Sequence, residues 1–429
     1  MKLINKITGW QSLLPFRISR QHHQVGVLYS CTLLNVLLGA VISMLNTRAL
    51  SPEFYGDVKF VVNITAFAVG LLTLGYFASG CRLLALKHDP IRIRRLKGVM
   101  FLVLGVIMAM VMLVLTAIGC WYWWSGKREL GRLFVVGALV SSAPLLQNYI
   151  NTVAQGDNKI GGMALSRLLP SLLYIIVGGT VYHFWGATSS RMLLLQYGMI
   201  AVVILAIIFH GRPLFSGLKD EFVNLNRENR QYGFQVYLGS VCGVSLGHLA
   251  GITLGVFSTD NVEVGLFSLG ATLAAPLLLL PSIVGTVYYK RFATSELIDW
   301  KIIVTTTGLA LLSLAGFLVV IFPVVRLLYP PAYLAAAGYA CWLSVAMIIH
   351  GMGDMFNRFL GAHGKGKALR NGAWLCGIVL LMGNIFGVYW LGIQGAIATR
   401  LLASVSYLLA MLWYYYQYAF SQSCEEKEV

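Results

Sequence analysis

The fold class is decided by residues 239–255, which read GSVCGVSLGHLAGITLG. In this apolar run every fourth residue is a glycine: Gly239, Gly243, Gly247, Gly251 and Gly255. In a water-soluble helix each glycine would cost about 1 kcal/mol relative to alanine, whereas in a bilayer the same spacing lets a second backbone approach closely. The stretch therefore predicts a membrane-spanning helix with a packing ridge. Because glycine also loosens a helix, a bending element is the alternative interpretation.

The whole chain has the composition of a membrane protein. Of its 429 residues, 58% are hydrophobic and 11% are charged, whereas soluble domains carry roughly 25% charged residues. About twelve apolar stretches are long enough to cross a hydrocarbon core about 30 Å thick. We therefore expect an all-α, polytopic integral membrane protein. The predicted spans are 25–47, 58–80, 98–122, 133–153, 162–185, 191–210, 234–257, 264–288, 301–328, 333–357, 371–390 and 394–417.

The two halves of the chain resemble each other. SPEFYG (51–56) follows the first predicted span, and DNVEVG (260–265) follows the seventh, about 209 residues later. AQGDNK (154–159) and AHGKGK (362–367) follow spans four and ten at nearly the same offset. Six spans per half is an even number, so the halves are parallel repeats, which predicts two pseudo-symmetric six-helix lobes around a central cavity. The predicted divisions are a basic interfacial arm (1–24), an N-lobe (25–210), a cytoplasmic linker (211–233), a C-lobe (234–417) and a polar tail (418–429).

The net charge of +16 is distributed as in an oriented membrane protein. If the chain starts in the cytoplasm, the segments on that side hold 24 of the 32 Lys and Arg residues. This bias follows the positive-inside rule and predicts that both termini are cytoplasmic. The basic loops would then contact anionic lipid headgroups, so the bilayer is the expected partner and nucleic acid is not.

The sequence contains no pattern typical of an enzyme. Its seven cysteines are scattered singly, with no Cys-x-x-Cys or Cys/His cluster, so neither a metal site nor a disulfide framework is predicted. The 16 acidic residues include no paired carboxylates suited to Mg²⁺. Serine and histidine residues do not combine into a recognisable nucleophile. We expect no catalytic residues and no cofactor.

Polar residues inside predicted spans are candidate functional residues, because an unpaired charge in a bilayer costs at least a few kcal/mol. His248, Asp354 and Arg400 lie deepest. Asp354 and Arg358 are four residues apart on one helix face, where they could form an ion pair. For this pair a static structural role is as well founded as a functional one. A lone histidine such as His248 is more often a core residue whose ring nitrogens are hydrogen-bonded than a functional group. Arg400 has no assigned role.

Four further arginines lie near predicted span ends. They are Arg48, Arg82, Arg167 and Arg291. Such side chains can extend to lipid headgroups, which is the simpler explanation for each. Alternatively they face a central cavity, which Asn35, Asn63, Asn148 and Asn151 would make polar.

Several short motifs resemble those of a known family. RALSPEFYG (48–56) is similar to the first-loop signature of bacterial polysaccharide flippases, the Wzx-type, O-antigen-transporter-like branch of the multidrug/oligosaccharidyl-lipid/polysaccharide exporter superfamily. The segments 74–82, 164–170 and 391–396 are also similar. At the end of span eight, residues 287–291 lack the proline that the family pattern has there. The backbone geometry near Arg291 therefore does not follow from the resemblance.

The resemblance implies a function in surface polysaccharide biosynthesis. Such proteins move an undecaprenyl-pyrophosphate-linked oligosaccharide across the bacterial inner membrane by alternating access. Arg48, Arg82, Arg167, Arg291, Arg358 and His248 become candidates for substrate binding, Asp354 for ion coupling, and the five glycines for gating or packing. Polysaccharide polymerase and chain-length machinery are candidate partners.

Three other functions fit a polytopic protein. A multidrug or cation exporter of the same superfamily should have acidic groups in its cavity, and few are present. A polysaccharide polymerase should have a long external catalytic loop, and none is visible. A multispan glycosyltransferase needs an acidic external site, for which Glu53 and Asp57 are the available residues.

Overall fold

The computed structural model describes residues 20–86, 89–157, 160–243 and 245–425. These residues form seventeen α-helices with short 3-10 and π segments, and no strands. Within them, ten stretches are long and apolar enough to cross a membrane. The protein is thus an all-α, multi-pass membrane protein, as predicted. Residues 1–19, which hold most of the predicted interfacial arm, lie outside the described ranges.

The first half contains the first six predicted spans. Its helices are α1 (Arg20–Ala49), α2 (Pro52–Leu72), α3 (Tyr76–Leu86), α4 (Pro90–Trp124), α5 (Arg128–Val140), α6 (Ser142–Gly156), α7 (Ile160–Trp185) and α8 (Ser189–His210). Span two comprises α2 and part of α3, because Leu74 and Gly75 have positive φ angles of 47° and 83° that end one helix before the next begins.

The second half supplies the other six spans, after a linker that is itself helical. Its helices are α9 (Lys219–Glu228), α10 (Phe234–Gly243), α11 (Leu249–Phe257), α12 (Val262–Val287), α13 (Tyr289–Phe292), α14 (Trp300–Leu328), α15 (Ala335–Ala362), α16 (Gly366–Met382) and α17 (Val388–Glu425). Spans eleven and twelve form one apolar stretch, Gly366–Phe420. The chain turns within it at Gly392, whose φ of 55° and ψ of −134° lie outside the helical region.

Local sequence explains where several helices begin. Ser51, Asp89 and Asp299 each cap the helix that follows: their side-chain oxygens accept hydrogen bonds from the backbone N–H groups of Phe54, Ile91 and Lys301. Pro52 and Pro90 then occupy the first helical position, where the missing N–H group is not needed.

The predicted continuous helix of span seven is wrong. α10 ends at Gly243, and Ser245–His248 form a 3-10 turn before α11 begins. The glycines accordingly differ in environment. A side chain at Gly251 or Gly255 would clash with Asn63 or Phe60 of α2, whereas Gly239 and Gly247 have no neighbouring atom within 4 Å of the position a Cβ would take. Among the four ridge glycines whose surroundings the structure describes, close packing is thus confined to the two in α11, and the helix is interrupted before them.

Two faces of the molecule follow from the helix directions. The basic face is the end at which α3, α6, α8 and α15 finish and α4, α7 and α16 start, and the far face is the other end. We name α1–α8 the N-lobe and α10–α17 the C-lobe. α9 of the linker packs on α3 and α4 of the N-lobe.

The lobes are joined closely at the far face. The Tyr333 hydroxyl donates to the Leu50 carbonyl at 2.9 Å, and the Asn261 amide donates to the Asp57 carboxylate at 2.7 Å. At the crossing of α2 and α12, Gly265 leaves space only for backbone, since a Cβ there would lie 2.6 Å from the Pro52 carbonyl oxygen. These contacts hold the lobes together at the far face.

Candidate functional site

Two adjoining hollows lie along α6. The α7 hollow, about 350 Å³, is lined by residues of α1, α6, α7 and α8. The α3 hollow, about 900 Å³, lies between α2, α3 and α6 of the N-lobe and the segment 232–245 that opens the C-lobe. Gln147 and Asn151 line both hollows. Together the two hollows form a cavity with polar and apolar groups in its walls. It extends from the boundary between the lobes, at the α3 hollow, into the N-lobe, at the α7 hollow, on the side away from the far-face contacts.

Arg167 is the cation of the α7 hollow. Its guanidinium donates to the Thr32 hydroxyl at 3.3 Å, and one helical turn further on the Ser171 hydroxyl donates to the Asn35 amide oxygen at 3.1 Å. Tyr174 closes the deep end and donates to Asn46 at 2.6 Å. The described residues lining this hollow include no carboxylate, so the charge of Arg167 faces an otherwise neutral polar surface.

Arg82 is the cation of the α3 hollow, and its charge is already compensated. Its guanidinium lies 2.6 Å from the Glu228 carboxylate and 4.8 Å from the ring centroid of Tyr232. Both partners belong to the linker region. Asn229 nearby accepts a hydrogen bond from the Ser79 hydroxyl at 3.1 Å. The linker, which the sequence indicated only as a polar connection, thus forms one wall of the cavity and holds its arginine.

The other arginine candidates are dispersed. Arg48 lies at the far face, where its Nε donates to the Leu328 carbonyl at 2.9 Å. Arg291 lies 3.4 Å from Asp299 on the basic face. Arg358 is exposed near the end of α15, beside Gly285 of α12. The structure therefore brings Arg82 and Arg167 to neighbouring hollows and leaves Arg48 at the other end of the molecule.

The polar residues of the C-lobe form a separate cluster between α15 and α17. The Asp354 carboxylate accepts a hydrogen bond from the Tyr407 hydroxyl at 3.1 Å. His350, one turn before Asp354, stacks on the Tyr407 ring with centroids 4.6 Å apart. The Nη2 of Arg400 lies 3.9 Å from the Met347 sulfur.

This cluster differs from the sequence prediction in two respects. The ion pair that Asp354 and Arg358 could form is not among the ion pairs of the described residues. His350 was missed, although its spacing of four residues from Asp354 places both on one helix face. Its Nδ1 is buried and has no partner among the described residues.

His248 lies on the seam between the lobes. Its Nδ1 is 3.1 Å from the Asn63 amide oxygen of α2, so it joins span seven to span two. Within the described ranges there is no group of three or more His, Cys, Asp or Glu residues that could hold a metal ion. The cavity is suited to binding a ligand through hydrogen bonds and positive charge.

Comparisons with known proteins agree with this architecture. A family model described as polysaccharide biosynthesis protein matches residues 23–295. No curated protein sequence matches the chain. A structure of the lipid II flippase MurJ in an inward closed conformation is similar, with a TM-score of 0.68 and 15% identity over 90% of this chain and 86% of that one.

Multidrug transporters share the fold as well. An inward-facing structure of a multidrug resistance MATE family transporter of the MOP superfamily gives a TM-score of 0.65 at 16% identity, covering 90% of this chain and 96% of that one. An outward-facing structure of such a transporter gives 0.59 at 16% identity, covering 92% and 94%. Similarity at these identities shows the shared twelve-helix, two-lobed fold.

Proposed function

This chain belongs to the polysaccharide biosynthesis protein family, and on that premise we propose that it is a flippase for an undecaprenyl-pyrophosphate-linked oligosaccharide. It would carry the repeat unit of a surface polysaccharide from the inner to the outer leaflet of the bacterial inner membrane. The basic face would be cytoplasmic, in keeping with the positive-inside rule. Polysaccharide polymerase and chain-length machinery are the expected downstream partners.

The observation that carries the proposal is the character of the cavity. The polar side chains that line its two hollows are those of arginine and of carboxamide and hydroxyl residues, set among apolar ones, and no carboxylate is among the described lining residues. A lipid-linked oligosaccharide presents a diphosphate and many hydroxyl groups, which match these donors and acceptors. Arginine suits phosphate because its guanidinium can bind two oxygens at once.

The arginines have different proposed roles. Arg167 is the first candidate for the diphosphate because its charge is not neutralised by the hollow around it. Arg82 would bind phosphate only after exchanging Glu228 for the ligand. Arg291 and Arg358, on the C-lobe side of the basic face, are candidates for the first encounter, whereas Arg48 could meet the ligand only when the far face opens.

The C-lobe cluster is the proposed coupling element. Asp354 is partly buried and bound to Tyr407, with His350 stacked beside it. A carboxyl group in such a position can exchange a proton or bind a cation when the lobes rearrange. The contact between His248 and Asn63 of α2 would change in the same rearrangement, because the two residues lie on different lobes.

A multidrug or cation exporter is the alternative that the fold also permits. A cationic drug would need a carboxylate to compensate its charge. No carboxylate is among the described lining residues of the two hollows, and the Glu228 carboxylate beside the α3 hollow is already paired with Arg82. A polymerase or glycosyltransferase is less well supported, since the far-face acids Glu53 and Asp57 lie beside Lys127 and Arg128 and Asp57 is engaged by Asn261.

A deletion strain tests the proposal. Loss of the gene should cause lipid-linked repeat units to accumulate on the cytoplasmic leaflet, and the cloned gene should relieve it. A variant with Arg167→Gln should reach normal abundance and fail to restore export. Accumulation of single repeat units on the outer leaflet would indicate a polymerase and overturn the proposal.

A further inference from the structure

One face of α6 is a continuous polar stripe. The residues of α6 that line the two hollows are Pro144, Gln147, Asn148, Asn151, Thr152, Gln155 and Gly156. Their spacing of three and four residues places them on one side of the helix. The other side, which includes Leu145, Leu146, Tyr149, Ile150 and Val153, is buried. α6 is therefore an amphipathic helix whose polar side faces the cavity.

The carboxamides of this stripe are Gln147, Asn148, Asn151 and Gln155, and we name them the carboxamide stripe. They extend over nine residues, from 147 to 155, or about 12 Å along the helix axis. Additional carboxamides from α1 and α8, Asn35 and Gln196, complete the wall of the α7 hollow. A stripe of this length offers several hydrogen-bonding groups to a ligand lying along α6.

Much of the hydrogen-bonding capacity of these groups is not used within the chain. The Gln147 amide donates to Asn151 at 3.5 Å and to Ser166 at 3.4 Å, both at the limit for a hydrogen bond. Among the described residues, Gln155 and Gln196 have no side-chain hydrogen bond. Polar groups inside a membrane protein need a partner, so water or a ligand must supply it.

Carboxamides and sugars are chemically matched. Each carboxamide offers both a donor and an acceptor, as do the hydroxyl and acetamido groups of a sugar. Phosphate oxygens only accept, so they match arginine better than a carboxamide. The cavity thus presents two kinds of group on different helices: arginines on α3 and α7, and a neutral donor–acceptor surface along α6.

We infer that the carboxamide stripe binds the glycan part of the substrate and determines which glycan is carried. This inference rests on the proposed function and adds a specificity site to it. The ligand class is a neutral, hydroxyl- or acetamido-bearing sugar attached to the lipid diphosphate. A site built from polar groups discriminates strongly, because a ligand that lacks the matching group leaves the site's own groups unpaired.

The test compares two lipids that differ only in the sugar. The probes are undecaprenyl diphosphate and the same lipid carrying one N-acetylhexosamine. Their affinities are measured with the purified full-length protein in lipid nanodiscs. The wild type should bind the glycosylated lipid at least tenfold more tightly. A double variant, Gln147→Met with Asn151→Leu, should lose this preference and still bind the bare lipid normally.

Two control variants make the result specific. Gln417→Met changes an exposed carboxamide of α17 that lines neither hollow, and it should retain the wild-type preference. Arg167→Gln should weaken binding of both lipids by the same factor. Equal binding of the two lipids by the wild type, or an equal loss for both lipids in the double variant, would overturn the inference. Binding of neither lipid by the wild type would contradict the proposed function itself.

Discussion

At the scale of single residues, the cations of the cavity differ in what already compensates their charge. Arg82 has Glu228 as an ion-pair partner, whereas Arg167 has a neutral hydroxyl, Thr32. The sequence identified both arginines from their positions near span ends. It could not distinguish them, because Glu228 lies 146 residues from Arg82 and no local pattern connects the two.

This difference predicts that substitutions of the two partners of the Arg82–Glu228 ion pair change lipid affinity in opposite directions. The Arg82 side chain is 50% exposed, so the pair contributes on the order of 1 kcal/mol or less to stability. Glu228→Gln would free the guanidinium and should tighten binding of undecaprenyl diphosphate several-fold. Arg82→Gln should weaken it. Lipid affinity measured in nanodiscs, with thermal unfolding as the control, checks both. Weaker binding in Glu228→Gln would contradict this assignment of Arg82.

A second prediction concerns coupling through Asp354. Replacing its carboxyl group by an amide keeps the shape and the contact with Tyr407 but removes the exchangeable charge. If Asp354 couples transport to protons, Asp354→Asn should bind lipid normally and translocate it at one rate with or without a pH gradient. Wild-type protein in the same liposomes should respond to the gradient. A full response in the variant would exclude Asp354 as the coupling residue.

At the scale of helices, hydropathy predicted the spans because apolar length alone decides whether a helix can cross a bilayer. It did not predict the break in span seven. The residues from Gly243 to His248 include no Asp, Glu, Lys or Arg and lie inside a longer apolar stretch, so a search for spans by apolar length passes over the interruption. Whether a glycine packs closely depends on its neighbours on α2, and the sequence alone does not identify those neighbours.

The crossing of α2 and α12 gives a prediction at this scale. A methyl group at Gly265 would meet the Pro52 carbonyl oxygen at 2.6 Å, and overpacking of this kind typically costs about 1–3 kcal/mol. Gly265→Ala should therefore lower the melting temperature of the purified protein. Gly308→Ala is the matched control, since its Cβ would meet no atom within 4 Å and alanine favours the helix. Equal melting temperatures in the two variants would contradict the close packing at the far face.

At the scale of the whole molecule, the cavity and the contacts that join the lobes at the far face lie toward opposite ends. Tyr333 and Asn261 bind the N-lobe at the far face, and the hollows lie on the side of the basic face. The repeats predicted such a two-lobed arrangement, and the structure has it. The sequence also allowed Arg48 to be grouped with Arg82, although the odd number of spans between them already places them at different ends.

The most direct test of the central claim is translocation by the purified protein. Liposomes containing it would receive a fluorescent undecaprenyl-diphosphate oligosaccharide, and a membrane-impermeant quencher would report the fraction in the outer leaflet over time. We predict rapid exchange between leaflets with the wild type and slow exchange with Arg167→Gln, at equal protein content. Exchange no faster than in protein-free liposomes would contradict the claim that this protein is a flippase for lipid-linked oligosaccharides.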